Sequence, residues 1–258
     1  MEKPFNTKIF LILLCAAVAG LLAVIPYALA LNPAATPDKL PLPLPLIAAI
    51  QIGIQALMFA AAIAVGLFFS TRIGLGLPLL EAKLKGEPIA PNVRAILPFS
   101  AVAGIVSSVL IVALDVYVFQ PALGGAIGVK LPGRANPAAW KGFLASFYGG
   151  INEEILLRLC LLSFLAWVGG FLLRGQNGKP AISAFWTANV VAAILFGLGH
   201  LPATSMILPV TPLVVLRAVV LNGLAGIAFG YLYFRFGLES AMLAHFIADI
   251  VLHVLLAL

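Results

Sequence analysis

Eight residues carry most of the reactive chemistry in a chain that otherwise avoids it. Glu153, Glu154 and Arg158 lie within "GGINEEILLRLC" at 149–160, Phe196 and His200 close "FGLGH" at 196–200, and His245 and Asp249 bracket "HFIAD" at 245–249. Asn222 opens "NGLAGIAFG" between the last two. Carboxylates, imidazoles and one guanidinium are the groups that move protons and stabilise developing charge. The spacings fit helices. Glu154 and Arg158 are four apart, so they share a face and can pair. Glu153 points roughly 100° away, free to address a neighbouring helix. Phe196 with His200, and His245 with Asp249, repeat the four-residue spacing, and a carboxylate beside an imidazole can orient it and fix its tautomer.

Plainer roles compete for the same residues. Asn152 is a good helix N-cap, and glutamates in the following turn suit the positive end of the helix dipole. On that view Gly149-Gly150 breaks the chain and the acids are caps, which leaves Arg158 without a role. A lone histidine such as His200 often serves only in packing. His253 has Ala257 four residues on and reads as structural or interfacial. Asn222, Gly226 and Gly230 are spaced by four, which lets helix backbones approach closely; Asn222 is expected also to reach the polar cluster. Glu153, His200 and His245 could together make a three-ligand zinc site with a water in the fourth position, although no H-E-x-x-H pair is present.

The elements that must position these groups are membrane helices. Of 258 residues, 63% are hydrophobic and 9% charged, with a mean hydropathy of +1.14. Too little polar surface remains for an ordinary soluble domain. Apolar stretches of the roughly 20 residues that a span requires recur along the chain. They predict an all-α polytopic bundle of seven spans at about 9–31, 45–70, 95–119, 142–172, 182–205, 212–234 and 238–257, the boundaries admitting six to eight. A re-entrant piece near 201–211 or an extra helix near 123–140 would change the parity. Residues 1–141 form N-terminal helices and loops, and 142–258 the part that carries the reactive groups.

"ALA" at 28–30 resembles a signal-peptide cleavage site. The preceding apolar run exceeds the usual signal core of about 7–15 residues, so an uncleaved first helix is expected. Lys3, Lys8, Arg72, Lys83, Lys85, Arg94, Arg174, Lys179 and Arg235 fall on the N-terminal side of the membrane. Lys39, Lys130, Arg134 and Lys141 fall on the other. That bias predicts a cytoplasmic N-terminus in a cell (inner) membrane. The formal charge of +6 is thereby explained without nucleic acid. Cys15 and Cys160 lie far apart in apolar runs and read as small core residues.

Charged groups inside a bilayer are costly and must satisfy one another within a bundle. Three polar pairs on three apolar helices therefore belong together. In this order they resemble the three signatures of the CPBP family, the membrane-embedded CAAX prenyl proteases and bacteriocin-processing enzymes also called Abi proteins. Asn222, Gly226, Gly230 and the Gly237-Leu238 turn fit the same pattern, over about residues 142–255. The resemblance implies metal-independent, glutamate-dependent intramembrane hydrolysis of a peptide or prenylated protein substrate. It implies Glu153 as general base on a water shared with His200, and Glu154 braced by Arg158. His245 and residue 249 would stabilise the oxyanion. The family commonly has Asn at that last position; Asp249 departs from it, and is expected to orient His245. Two other classes are compatible with buried Glu and His: a non-catalytic scaffold or immunity protein of the same fold, and a proton-coupled transporter. No inverted repeat supports the last.

Overall fold

The computed structural model describes residues 6–31, 42–124, 137–175, 178–206 and 208–258. Among the described residues the chain is helical, without a β-strand, and seven of its helices are long and apolar enough to cross a membrane. These are α1 (Thr7–Leu31), α2 (Pro45–Ile73), α4 (Ala90–Ala122), α5 (Ala139–Leu172), α6 (Ile182–Ser205), α7 (Pro212–Phe236) and α8 (Leu238–Ala257). A short helix, α3 (Pro78–Leu84), lies in the charged connection expected between the second and third spans. All seven predicted spans are present, and the protein is an integral membrane protein. Most of the segment considered for an extra helix, 125–136, lies outside the described residues, as do Lys3, Lys39, Lys130, Arg134 and position 207 of the suggested re-entrant piece.

Local chemistry accounts for the helix ends. Pro in the first turn opens α2, α3, α4 and α7, where its missing N–H costs nothing. Thr211 caps α7 by accepting from the Val214 amide at 3.3 Å. α2 ends on Gly74 in the left-handed region, with φ of 80°. Gly237, with φ of 97°, makes the turn from α7 to α8 against Pro78, and the next amide, Leu238, donates to Gly76 O at 3.1 Å.

Helix α5 is central. α1 and α2 pack along one side of it, and α6 and α8 along the other, while α7 packs on α6, α8 and α4. The core joins Ile155, Leu159 and Leu162 of α5 to Phe59 and Ile63 of α2 and to Phe229 and Tyr233 of α7, all of them fully buried. Side chains such as Ile54 and Leu57, 63% and 74% exposed, face outward, as a lipid-solvated surface requires. Small residues set the close approaches. A Cβ on Gly66 would lie 2.8 Å from the Leu159 carbonyl, and one on Gly226 3.1 Å from Ala193 Cβ. The N-terminal helices are therefore built into the packing of α5.

One polar tie was not foreseen. Asp115 of α4 receives Arg217 of α7 in a bidentate pair, at 2.6 Å from Nε and 2.9 Å from Nη2. Gln120 adds a bond to the same carboxylate at 3.3 Å. These two charges interrupt otherwise apolar spans and neutralise each other across the bundle.

Candidate functional site

Helix α5 does not begin at Asn152. It runs unbroken from Ala139, and widens to π-helical turns over Tyr148–Glu153 and Ile155–Leu162. Such turns are rare and cluster at functional sites. The capping role expected of Asn152 is therefore corrected: its amide donates to Ala17 O of α1 at 2.9 Å and ties the two helices inside the core. Gly149 and Gly150 do not break the chain either. A Cβ on Gly149 would collide with the Asp249 carboxylate and reach 3.1 Å from His245 Nε2, and one on Gly150 would meet Met242 O at 3.0 Å. Gly150 is what lets the α8 backbone come close, and Gly149 leaves room for the Asp249 and His245 side chains.

Two successive glutamates straddle one imidazole. Glu154 Oε1 lies 2.7 Å from His245 Nδ1, and Glu153 Oε2 lies 3.6 Å from His245 Nε2. Glu154 also takes the expected ion pair with Arg158, Nη1 to Oε1 at 3.1 Å, while Arg158 Nη2 donates to Gly226 O of α7 at 3.0 Å. Because Glu154 Oε1 serves a guanidinium as well, it acts as an acceptor, and His245 Nδ1 carries the proton between them. The exposures separate the two acids. The Glu154 side chain is 0% exposed, that of Glu153 24%. Only Glu153 can meet water or a substrate.

Aromatic rings wall the cluster. Phe229 stacks on His245 with centroids 5.0 Å apart, and Phe196 meets it edge-on at 5.8 Å. The Arg158 guanidinium lies 5.2 Å from the Phe196 ring centre and 5.8 Å from that of Phe229.

Asp249 approaches His245 from the other side than expected. Its Oδ1 is 3.7 Å from Nε2, so the bond that orients the imidazole comes from Glu154 and not from Asp249. Asp249 also faces His253, 3.9 Å from its Nε2, and His253 Nδ1 lies 3.2 Å from Tyr27 OH of α1. A chain of polar groups thus continues from His245 to the first helix.

His200 ends the regular part of α6 and packs its ring on Phe196, centroids 4.7 Å apart. Its Nδ1 lies 2.9 Å from Phe196 O; a carbonyl only accepts, so Nδ1 is the donor, and in the neutral ring Nε2 is the nitrogen left to accept. Phe196 therefore connects His200 to the cluster, and His200 makes no direct ion pair with Glu153. Asn222 does not reach the cluster: its amide donates to Ala218 O on its own helix at 2.9 Å. Asn189 of α6 holds α7 instead, donating to Ile227 O at 2.9 Å beside Gly230. Among the described residues, no three His, Cys, Asp or Glu side chains are arranged to hold a metal ion, which includes the set Glu153, His200 and His245.

Sequence reasoning missed Tyr27, Phe229, Asn189 and the role of Gly149. For Tyr27, Asn189 and Gly149 the signal available was a small or polar residue type where a span prefers leucine; Phe229 carried none.

A seven-helix bundle closing on a buried carboxylate, imidazole and guanidinium cluster defines a polytopic membrane protein with a polar site in its interior. Residues 135–251 match the family model described as type II CAAX prenyl endopeptidase Rce1-like, and this match supports the CPBP family of CAAX proteases, with their intramembrane fold. The match spans α5, α6, α7 and most of α8. No curated protein and no solved structure gives a significant match.

Proposed function

We propose that the protein is a glutamate-dependent intramembrane endopeptidase acting on a prenylated or otherwise membrane-associated peptide, without a metal. The observation that supports this best is the pair of glutamates about His245, one sealed against Arg158 and one open, within the segment that matches the CAAX endopeptidase family. Glu153 accepts a proton from water, and the oxygen attacks the scissile carbonyl carbon. His200 Nε2 accepts the water's second hydrogen and holds it in line. The carbonyl π electrons move to oxygen, where a protonated His245 donates from Nε2 to the oxyanion. Asp249 in its carboxylic acid form would be a second donor there. Collapse of the tetrahedral intermediate breaks the C–N bond, and the proton held by Glu153 passes to the departing amine. Glu154 and Arg158 position His245 and touch no substrate. We assign this chemistry to residues 142–258, with 1–141 as supporting helices, and place the N-terminus on the cytoplasmic side of a cell (inner) membrane from the distribution of Lys and Arg.

The test is a farnesylated peptide ending in a CAAX sequence, offered to the protein in vesicles. Release of the last three residues, unchanged by a zinc chelator, is expected. Uptake of solute without cleavage would favour a carrier, and cleavage lost on chelation would overturn the metal-free step.

The close packing at Gly149 yields a sharp expectation. Gly149→Ala places a methyl group against the Asp249 carboxylate and 3.1 Å from His245 Nε2, and must displace these side chains within the site. A displacement near 1 Å costs about 100-fold in rate. Turnover of the farnesylated peptide should fall by that order while the spans stay inserted. Normal turnover in the Gly149→Ala variant would mean that His245 is not at the reacting centre.

A further inference from the structure

The end of the bundle that holds the start of α1 contains a cleft the proposed chemistry does not use, about 1700 Å³ in volume. Five cations from separate parts of the chain line it: Lys8 of α1, Arg72 of α2, Lys85 after α3, Lys179 between α5 and α6, and Arg235 of α7. Among the described residues Glu81 is the one acidic side chain in the lining, and its Oε1 accepts from the Leu77 amide at 3.2 Å. The cleft is far from the site. Tyr27, which meets His253, lies about 28 Å up α1 from Lys8, at 1.5 Å per residue.

An excess of Lys and Arg at one end of a membrane bundle is ordinary. Their convergence on a single cleft is not explained by that bias, because topology asks only that they lie on one side. Gly74 makes room for one of them: a Cβ there would sit 3.3 Å from Lys179 Nζ. The Arg72 guanidinium lies 3.3 Å from the Phe68 ring centre and donates to Phe68 O at 2.7 Å, which fixes it at the wall. Apolar side chains complete the lining, among them Leu67, Leu84 and Phe236. Phe68 and Leu84 remain 46% and 36% exposed, so the apolar wall continues to the outer surface. Converging cations beside an apolar wall match a phosphate ester carried on acyl chains.

We infer that this cleft binds a phosphate-bearing anion, its best-fitting source being the headgroup of an acidic phospholipid. Bound there, it links the ends of α1, α2 and α7 and the α5–α6 connection. Tyr233, which lines the cleft, carries that link to α5 through its hydroxyl, 2.8 Å from Ser163 Oγ.

The experiment is thermal unfolding of the full chain in neutral detergent, titrated separately with phosphatidylglycerol, phosphatidylcholine and inorganic pyrophosphate. Phosphatidylglycerol should raise the unfolding temperature by on the order of 5 °C at saturation, and phosphatidylcholine should not. A Lys8→Gln, Lys179→Gln, Arg235→Gln variant should lose that rise, and Lys8→Arg with Lys179→Arg should keep it. The three side chains are exposed, and the single variants Lys179→Gln and Arg235→Gln, each expected to cut the rise, provide the reading if the triple variant fails to fold. A pyrophosphate rise equal to that of phosphatidylglycerol identifies a soluble phosphate compound as the source, and a smaller one identifies the lipid. Equal responses to the two lipids, or a triple variant with the full response, would overturn the site. Peptide cleavage is not the readout, so failure here leaves the protease assignment untouched, and the reverse also holds.

Discussion

Replacing Glu153 by Gln is expected to reduce peptide cleavage by about 10²–10⁴-fold, the usual worth of a positioned general base. The substitution keeps the shape of the side chain and removes only its ability to accept the water's proton. It should leave the fold intact, because the Glu153 side chain is partly exposed and its nearest charged partner, His245 Nε2, is 3.6 Å away. The unfolding temperature should therefore match that of the intact protein while the rate collapses. Glu154→Gln separates the two acids. It weakens the fully buried pair with Arg158 and the 2.7 Å bond to His245, so stability and rate should fall together. The same rate in Glu153→Gln and intact protein would remove the base from the mechanism.

The largest effect on stability is expected at Arg158. The residue is 1% exposed, and it serves Glu154 on its own helix and Gly226 O on α7. Arg158→Leu breaks this buried ion pair and leaves the Glu154 carboxylate with His245 alone as its partner, a loss of about 3–5 kcal/mol. Arg158→Lys keeps the charge but cannot reproduce the fork that reaches two acceptors, so it should fall between. The double variant Glu154→Leu with Arg158→Leu removes both charges and should be less destabilised than the sum of the single ones. Unfolding in detergent micelles measures all of these variants. Additive losses would mean that the ion pair contributes nothing beyond its separate side chains.

The spans were legible because their signal is local. A run of about 20 apolar residues needs no partner to declare itself, and the predicted 182–205 and 238–257 coincide with Ile182–Ser205 and Leu238–Ala257. The Glu154–Arg158 pair was legible for the same reason, since helical spacing alone puts both on one face. What sequence hid was decided across helices. Asn152 suited a cap by type, but its position in the middle of α5 turned it toward Ala17. The π-helical turns at Tyr148–Glu153 and Ile155–Leu162 have no simple sequence signature, yet they set how α5 presents its two acids. Asp249 sits four residues from His245, as an orienting acid would, while the orienting bond comes from Glu154, 91 residues earlier in the chain. The Asp115–Arg217 pair spans 102 residues. Only the packing of α4 on α7 makes it visible.

The most direct test of the central claim compares the termini of membrane proteins in cells carrying the intact chain with those in cells carrying Glu153→Gln at matched expression. New C-termini present with the intact chain and absent with the variant are the predicted result. Identical sets of termini in the two would contradict peptide hydrolysis by Glu153.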